Sequence, residues 1–396
     1  MELRFDIAAG LLLIAAVVAM LTRRLRLPYS AGLVAAGLGL GLALRPFAPA
    51  ITLTKDLIFT ALLPPLIFEA AFSLPWKKLR EDLRVILVLA SAGVLLSAAV
   101  TTLGMHYLAR WEWLSAALFG VLIAATDPVS VIATFREAGA RGRLLLLVEA
   151  ESLFNDGTAA VAFGVVVAWA AGRGLPALQV APIAILMIGG GVMCGALVAG
   201  SVLVLAGHTQ DHLVEITFTT VAAYGSFLLA EHFNFSGVLA TLTAGLMLGS
   251  GSSGVISERG RDAVEAFWEY AAFVANSLVF LLIGIHGARQ NLLVVWLAAI
   301  AAILLVTLGR AVAIYPCCLL FSRSARRVPM AHQHVLFWGG LRGALALALA
   351  LGLPPQVAGR EQIITVSFAV VAFSIFVQGL SMKPLLRRLG EVGETG

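Results

Sequence analysis

Charge is scarce in this chain: only 12% of its 396 residues are Asp, Glu, Lys or Arg, against 60% hydrophobic residues and a mean hydropathy of +0.97. A soluble domain carries about 25% charged residues and cannot bury so large an apolar share. That excludes a soluble enzyme and a disordered chain. Cysteine is nearly missing as well. The three present, Cys194, Cys317 and Cys318, lie in apolar runs with no CxxC spacing, which excludes a disulfide scaffold or a thiolate metal site and reads them as small buried hydrophobes. No low-complexity tract and no short-period repeat occurs. The seven histidines, His106, His208, His212, His232, His286, His332 and His334, fall near the ends of apolar runs and read as interfacial rather than metal-binding. The formal charge of +5 marks no nucleic-acid partner; the position of the basic residues matters more than their sum.

What is abundant is apolar runs of the length needed to cross a bilayer, roughly 20 residues. Thirteen are found, at about 5–21, 29–48, 56–74, 84–106, 113–135, 143–171, 180–206, 212–230, 235–250, 267–287, 291–321, 331–352 and 361–382. Glu2, Arg4 and Asp6 precede the first and deny it the positive start of a signal peptide, so it reads as a retained span. With the N-terminus outside, the inside connections hold eighteen Lys and Arg and the outside ones seven. Cytoplasmic loops concentrate such residues, so the C-terminus reads as cytoplasmic and the bilayer as the chain's main partner. The sequence therefore predicts an all-α polytopic membrane protein of about thirteen transmembrane helices in a single unit over 1–396, with a short tail at 383–396.

Two basic residues, Arg310 and Arg342, fall well inside spans, and so do the acids Glu69, Asp127, Glu149, Glu151 and Asp156. Ionisable groups in hydrocarbon are costly and need a partner or a function. Span 5 carries ATDPVSVIATF, where Pro128 disfavours helix at Asp127 and frees carbonyls around Ala124 to Thr126. Span 6 carries EAESLFNDGTAAVAF, with Glu149, Glu151, Ser152, Asn155 and Asp156 in one helix. Counted from Arg143, Asp156 lies about 20 Å in, near mid-membrane. Ser152 and Asp156 share one face, Glu151 and Asn155 the adjoining one. Span 3 carries LPPLIFEAAF, with Glu69 after a double-proline kink; Glu69 reads either as a residue reaching the interface or as a further ligand. Glycines 339, 340 and 343 flank Arg342 and let backbones approach or the helix open. Spans 5 and 12 each hold a helix-interrupting polar cluster and lie seven spans apart, the signature of inverted repeats with broken helices at the midplane.

Two arginines neutralise two acids, leaving at least one acid without a fixed cation. Desolvation disfavours its bare charge, so it holds a proton or a small cation but not both. The hard oxygens on offer are the Asp156 carboxylate, the Ser152 hydroxyl, Glu69 and carbonyls near Thr126, and they suit sodium. One site shared by competing ions is the minimal device of an antiporter. A cation channel would need a continuous pore with a ring or filter. An intramembrane enzyme would need a nucleophile with its base, and no histidine shares the midplane with Ser152.

LPPLIFEAAF, ATDPVSVIATF, EAESLFNDGTAAVAF, the arginine of GRAVAI and GGLRGALALALALGLP, in this order over about 60–352, together resemble the first family of monovalent cation:proton antiporters, the bacterial NhaP-type sodium/proton exchangers related to animal sodium/hydrogen exchangers. The resemblance implies the thirteen-span antiporter fold, no cofactor and no enzymatic activity, a homodimer, and a bacterial inner membrane. It implies a scaffold part at about 1–76 and 212–288 and a mobile core at about 84–171 and 291–382. Residue by residue, it implies Asp156 as cation and proton carrier, with Ser152, the Thr126 backbone and Glu69 lining the ion site. It pairs Glu151 with Arg310 and uses Asp127 and Arg342 to stabilise the crossing of broken helices. Asn155 beside Asp156 resembles the electroneutral class. Potassium in place of sodium remains the alternative within the same fold. The short tail departs from relatives with long cytosolic segments, so no regulation by a tail or by a partner bound to it is expected.

Overall fold

A computed structural model describes residues 5–25, 27–43, 54–127, 132, 135, 142–170, 177–251 and 257–391. Pro128, most of the second half of span 5, and Arg4, Arg26, Arg45, Arg136, Arg141 and Arg173 lie outside them. The described residues form sixteen α-helices and no strand: α1 (Phe5–Leu25), α2 (Tyr29–Ala43), α3 (Leu63–Ser73), α4 (Trp76–Val88), α5 (Val94–Ala109), α6 (Trp113–Leu122), α7 (Arg143–Ala168), α8 (Ala177–Ala206), α9 (His212–His232), α10 (Gly237–Gly251), α11 (Glu258–Gly287), α12 (Trp296–Leu319), α13 (Met330–Trp338), α14 (Ala344–Leu351), α15 (Arg360–Phe373) and α16 (Leu380–Arg388). Wide π-helical turns at Leu57–Leu62, Leu89–Gly93 and Ser374–Gly379 lead into α3 and join α4 to α5 and α15 to α16 as continuous rods.

Among the described residues, seven helices are long and apolar enough to cross a membrane, and four shorter apolar helices accompany them. The two remaining candidate segments depart from that pattern for physical reasons. α7 carries the charges of span 6, and span 12 is divided between α13 and α14. Span 11 begins later than its apolar run: Leu292 to Val295 lie in tight turns before α12, with Leu293 and Val294 exposed. Apolar composition alone does not separate an exposed turn from helix, which is why the run at 291–321 overreaches. Exposed leucines and isoleucines on α8 and α12, such as Ile185, Leu197, Leu297 and Leu304, are sites for lipid contact in an integral membrane protein.

Local sequence explains the ends. Pro64 and Pro65 follow the π-helical turn directly, and Ala61 O, the carbonyl an amide at 65 would have met, accepts instead from the Tyr224 hydroxyl at 3.1 Å. Asp211 caps α9, accepting from Leu213 N at 2.9 Å. Ser257 caps α11 through Gly260 N at 3.0 Å and is itself held by the buried Glu215, which accepts from Ser257 N and Oγ.

α11 packs on α2 and α3, and α10 on α3, α8 and α9; α12 packs on α5 and α15, and α6 on α5 and α7. The α2–α11 seam is backbone against backbone. A β-carbon at Gly37 would collide with Leu281 O, and one at Gly284 with Val34 O. Only glycine permits so close an approach; dispersion runs along the seam, and the Tyr29 hydroxyl, 2.7 Å from Ser277 Oγ, adds a polar bond between the two helices.

Candidate functional site

α6 stops at Leu122, and after a turn at Ile123 and Ala124 the chain runs unwound through Ala125, Thr126 and Asp127. α13 stops at Trp338, and Gly340 to Gly343 run unwound to the start of α14. The two unwound stretches cross and bond: Asp127 N donates to Leu341 O at 2.7 Å. Arg342 Nη1 donates to Ala124 O at 2.5 Å and Ala125 O at 3.0 Å, so a buried cation meets the carbonyls left open where α6 ends. The Asp127 carboxylate packs against Gly343, at the N-terminal end of α14, where an anion is favoured. Ser374 fixes the other side of the crossing, accepting from Arg342 N at 3.0 Å and donating to Arg342 O at 3.1 Å.

α7 lies beside this crossing and supplies its polar face. Glu151 is 1% exposed and receives both Nη atoms of Arg310 at 2.8 Å. Arg310 Nε and Nη2 also donate to Leu336 O, a carbonyl in the last turn of α13, so one guanidinium joins α7, α12 and α13. Asn155 is fully buried: its Oδ1 accepts from Thr126 N at 3.0 Å, and its Nδ2 donates to Thr126 Oγ1 at 2.5 Å and Glu151 Oε1 at 3.3 Å. Ser152 Oγ lies 2.8 Å from Thr126 Oγ1.

Asp156 stands apart from this bonding. Its Oδ1 is buried and has no hydrogen-bond partner among the described residues. Asp156 lines a cavity of about 360 Å³ together with Glu69, Thr126, Asp127, Glu149 and Glu269. Arg23, in the last turn of α1, lines the same cavity and is exposed.

The sequence candidates thus divide. Asp156, Thr126, Glu69 and Asp127 meet at the cavity, whereas Ser152 and Asn155 are not among its lining residues and lie behind Thr126, whose amide and hydroxyl they hold. Glu151, Arg310 and Arg342 form the charged frame. Sequence reasoning missed Glu269 and Asn276, which line the cavity from α11. The available signal was Asp262, Glu269 and Asn276 at seven-residue spacing, which puts them on one helical face.

Residues 11–388 match the family described as the transmembrane sodium/hydrogen exchangers. The chain belongs to that family. Among this exchanger's relatives are the Na(+)/H(+) antiporter ApNhaP of Aphanothece halophytica, 38% identical over 93% of this chain and 71% of the relative, and NhaG of Bacillus atrophaeus, 36% identical over 98% and 75%. The Na(+)/H(+) antiporter NhaH of Halobacillus aidingensis is 32% identical over 96% of each. The exchanger's fold is similar to that of the sodium proton antiporter MjNhaP1 of Methanocaldococcus jannaschii, with a TM-score of 0.78 over 96% of this chain and 97% of the other at 18% identity.

Proposed function

We propose that this exchanger is a sodium(lithium)/proton antiporter in which cation and proton compete for Asp156. The observation that carries the reading is the buried Asp156 Oδ1 without a hydrogen bond, at a cavity walled by further carboxylates, beside a frame in which Glu151 is already neutralised by Arg310. A carboxylate with a fixed cationic partner gains little from a second cation. One without such a partner in a confined site gains from a proton or a hard monovalent cation, and each excludes the other. Thr126 and Glu69 add oxygen ligands at the cavity, while Ser152 and Asn155 hold Thr126 in place. Glu149 and Glu269 draw cations from the mouth towards Asp156.

One carrier carboxylate beside the neutral Asn155 supports exchange of one cation for one proton. Alternating access proceeds with the core at about 84–171 and 291–382 moving past a scaffold at about 1–76 and 212–288. The same reading has thirteen crossings, a homodimer, the N-terminus outside, the C-terminus in the cytoplasm, and residence in a bacterial inner membrane.

Proton flux in proteoliposomes tests it. With an imposed pH gradient, addition of sodium or lithium dissipates the gradient, and Asp156→Asn vesicles give no response. A response to potassium alone reassigns the ion. No response to any of the three removes the function and leaves the fold.

A further inference from the structure

A second cavity, of about 450 Å³, lies apart from the acidic one where α12, α13 and α16 meet, lined by Tyr315, His334, Phe337, Trp338, Ser381 and Arg388 among others. α12 ends, α13 begins and α16 ends at the side of the molecule that carries the basic loops, which include Arg323, Arg326 and Arg327. The aromatic rings form a continuous wall, Tyr315 to Phe337 at 5.7 Å and Phe337 to Trp338 at 5.9 Å between centroids. Polar groups are fixed within it. The Tyr315 hydroxyl lies 2.8 Å from His334 Nδ1, and Trp338 Nε1 donates to Ser381 Oγ at 2.8 Å. Arg388 is exposed, and among the described residues it has no hydrogen bond or ion pair and no acid lines the cavity. Leu319 at the end of α12, Leu320 just after it, and Val377 and Leu380 in the α15–α16 rod are exposed and suited to hydrocarbon.

We infer that this cavity binds an anionic phospholipid of the cytoplasmic leaflet, its phosphate held by Arg388 with His334 and Tyr315 and its upper acyl chain lying against Phe337 and Trp338. Charge chooses the headgroup: one guanidinium without a partner or a competing lining carboxylate among the described residues favours a net negative lipid over a zwitterionic one. Position chooses a lipid over a protein partner. The cavity joins a basic rim to an apolar flank, as an amphiphile at a membrane interface does, and its aromatic residues belong to the types that gather at that depth. Phe337 and Trp338 are the last residues of α13 before the unwound stretch, so the bound lipid ties α16 to the half-helix whose Leu336 carbonyl Arg310 holds.

The test uses the full chain in phosphatidylcholine vesicles containing equal small fractions of brominated phosphatidylglycerol or brominated phosphatidylcholine. The signal is the part of tryptophan fluorescence that Trp338→Phe removes. Brominated phosphatidylglycerol is expected to quench that part more strongly, and Arg388→Gln to reduce the preference about fivefold. Native mass spectrometry of wild type and Arg388→Gln with retained lipid gives the same comparison without depending on the tryptophan variant. Equal quenching by the two lipids, or a preference unchanged in Arg388→Gln, overturns the proposal. Relief of quenching by inorganic phosphate assigns the cavity to a free anion and overturns the lipid as its occupant.

Discussion

Arg310 on α12 and Glu151 on α7, 159 positions apart in the chain, meet through two parallel hydrogen bonds of 2.8 Å with side-chain exposures of 8% and 1%. The same guanidinium holds Leu336 O, so its planar fork binds a carboxylate and a helix end together, which a lysine could not reproduce. The pair uses one of two buried arginines on one carboxylate, and this sets the electrostatics of Asp156.

Removing one partner leaves a buried charge uncompensated, which costs about 3–5 kcal/mol. Glu151→Gln is therefore expected to lower the thermal unfolding midpoint of the purified protein markedly. The double variant Glu151→Gln with Arg310→Met is expected to lose less than the sum of the singles. Unfolding followed by intrinsic fluorescence checks both, and a Glu151→Gln protein as stable as wild type would refute the pairing as a stabilising contact.

Asp156→Asn is expected to behave in the opposite way. Because its Oδ1 has no hydrogen-bond partner among the described residues, the amide loses none of them there, and the cost of a buried charge disappears. Thermal stability stays level or rises while sodium-driven proton flux falls to that of empty vesicles. Residual flux above that level shows that the carrier is another group.

Asn155 donates to Thr126 Oγ1 and Glu151 Oε1 while accepting from Thr126 N. In Asn155→Asp the acceptor survives, both donors are lost, and a second carboxylate faces Glu151. The expected result is a lower unfolding midpoint and weakened exchange. Wild-type flux is expected to be insensitive to a membrane potential clamped with a potassium ionophore; a clear dependence on that potential would show net charge movement.

The glycines of the crossing test its tightness. An added methyl at Gly343 meets the Asp127 carboxylate, and one at Gly340 meets the Arg310 guanidinium. Gly343→Ala and Gly340→Ala are each expected to cost about 1–3 kcal/mol, by forcing neighbours from packed positions, and to slow exchange. Gly189→Ala on α8, with nothing within 4 Å of the new carbon, is the control and leaves flux unchanged.

The frame was legible in the sequence because charges in hydrocarbon are costly: Glu151, Asp156, Arg310 and Arg342 stand out in apolar runs, and Pro128 and the glycines marked the places where helix gives way. The expected depth of Asp156 rests on helix rise alone. Less legible was which polar groups face the cavity. Ser152 shares a helical face with Asp156, yet the close passage of Thr126 turns its hydroxyl into a support, and no spacing rule encodes a neighbour from another span. Glu269 was hidden because its amphipathic stretch, SERGRDAVEAFWEY, blurred the start of span 10, and its place opposite α7 exists only once α11 packs on α2 and α3.

The crossing of the unwound stretches is bonded through Asp127 N and Leu341 O, and Arg342 ties it to Ala124 and Ala125. Backbone outside a helix is ordinarily free to adjust to whatever occupies it. Here it is cross-linked, and in the proposed cycle that cross-linking is what would hold the spacing of the oxygens beside Asp156. In the proposed exchange the crossing would then serve as a fixed cradle carried past the scaffold, while the two ion gradients set the direction as they do for any exchanger without another energy source.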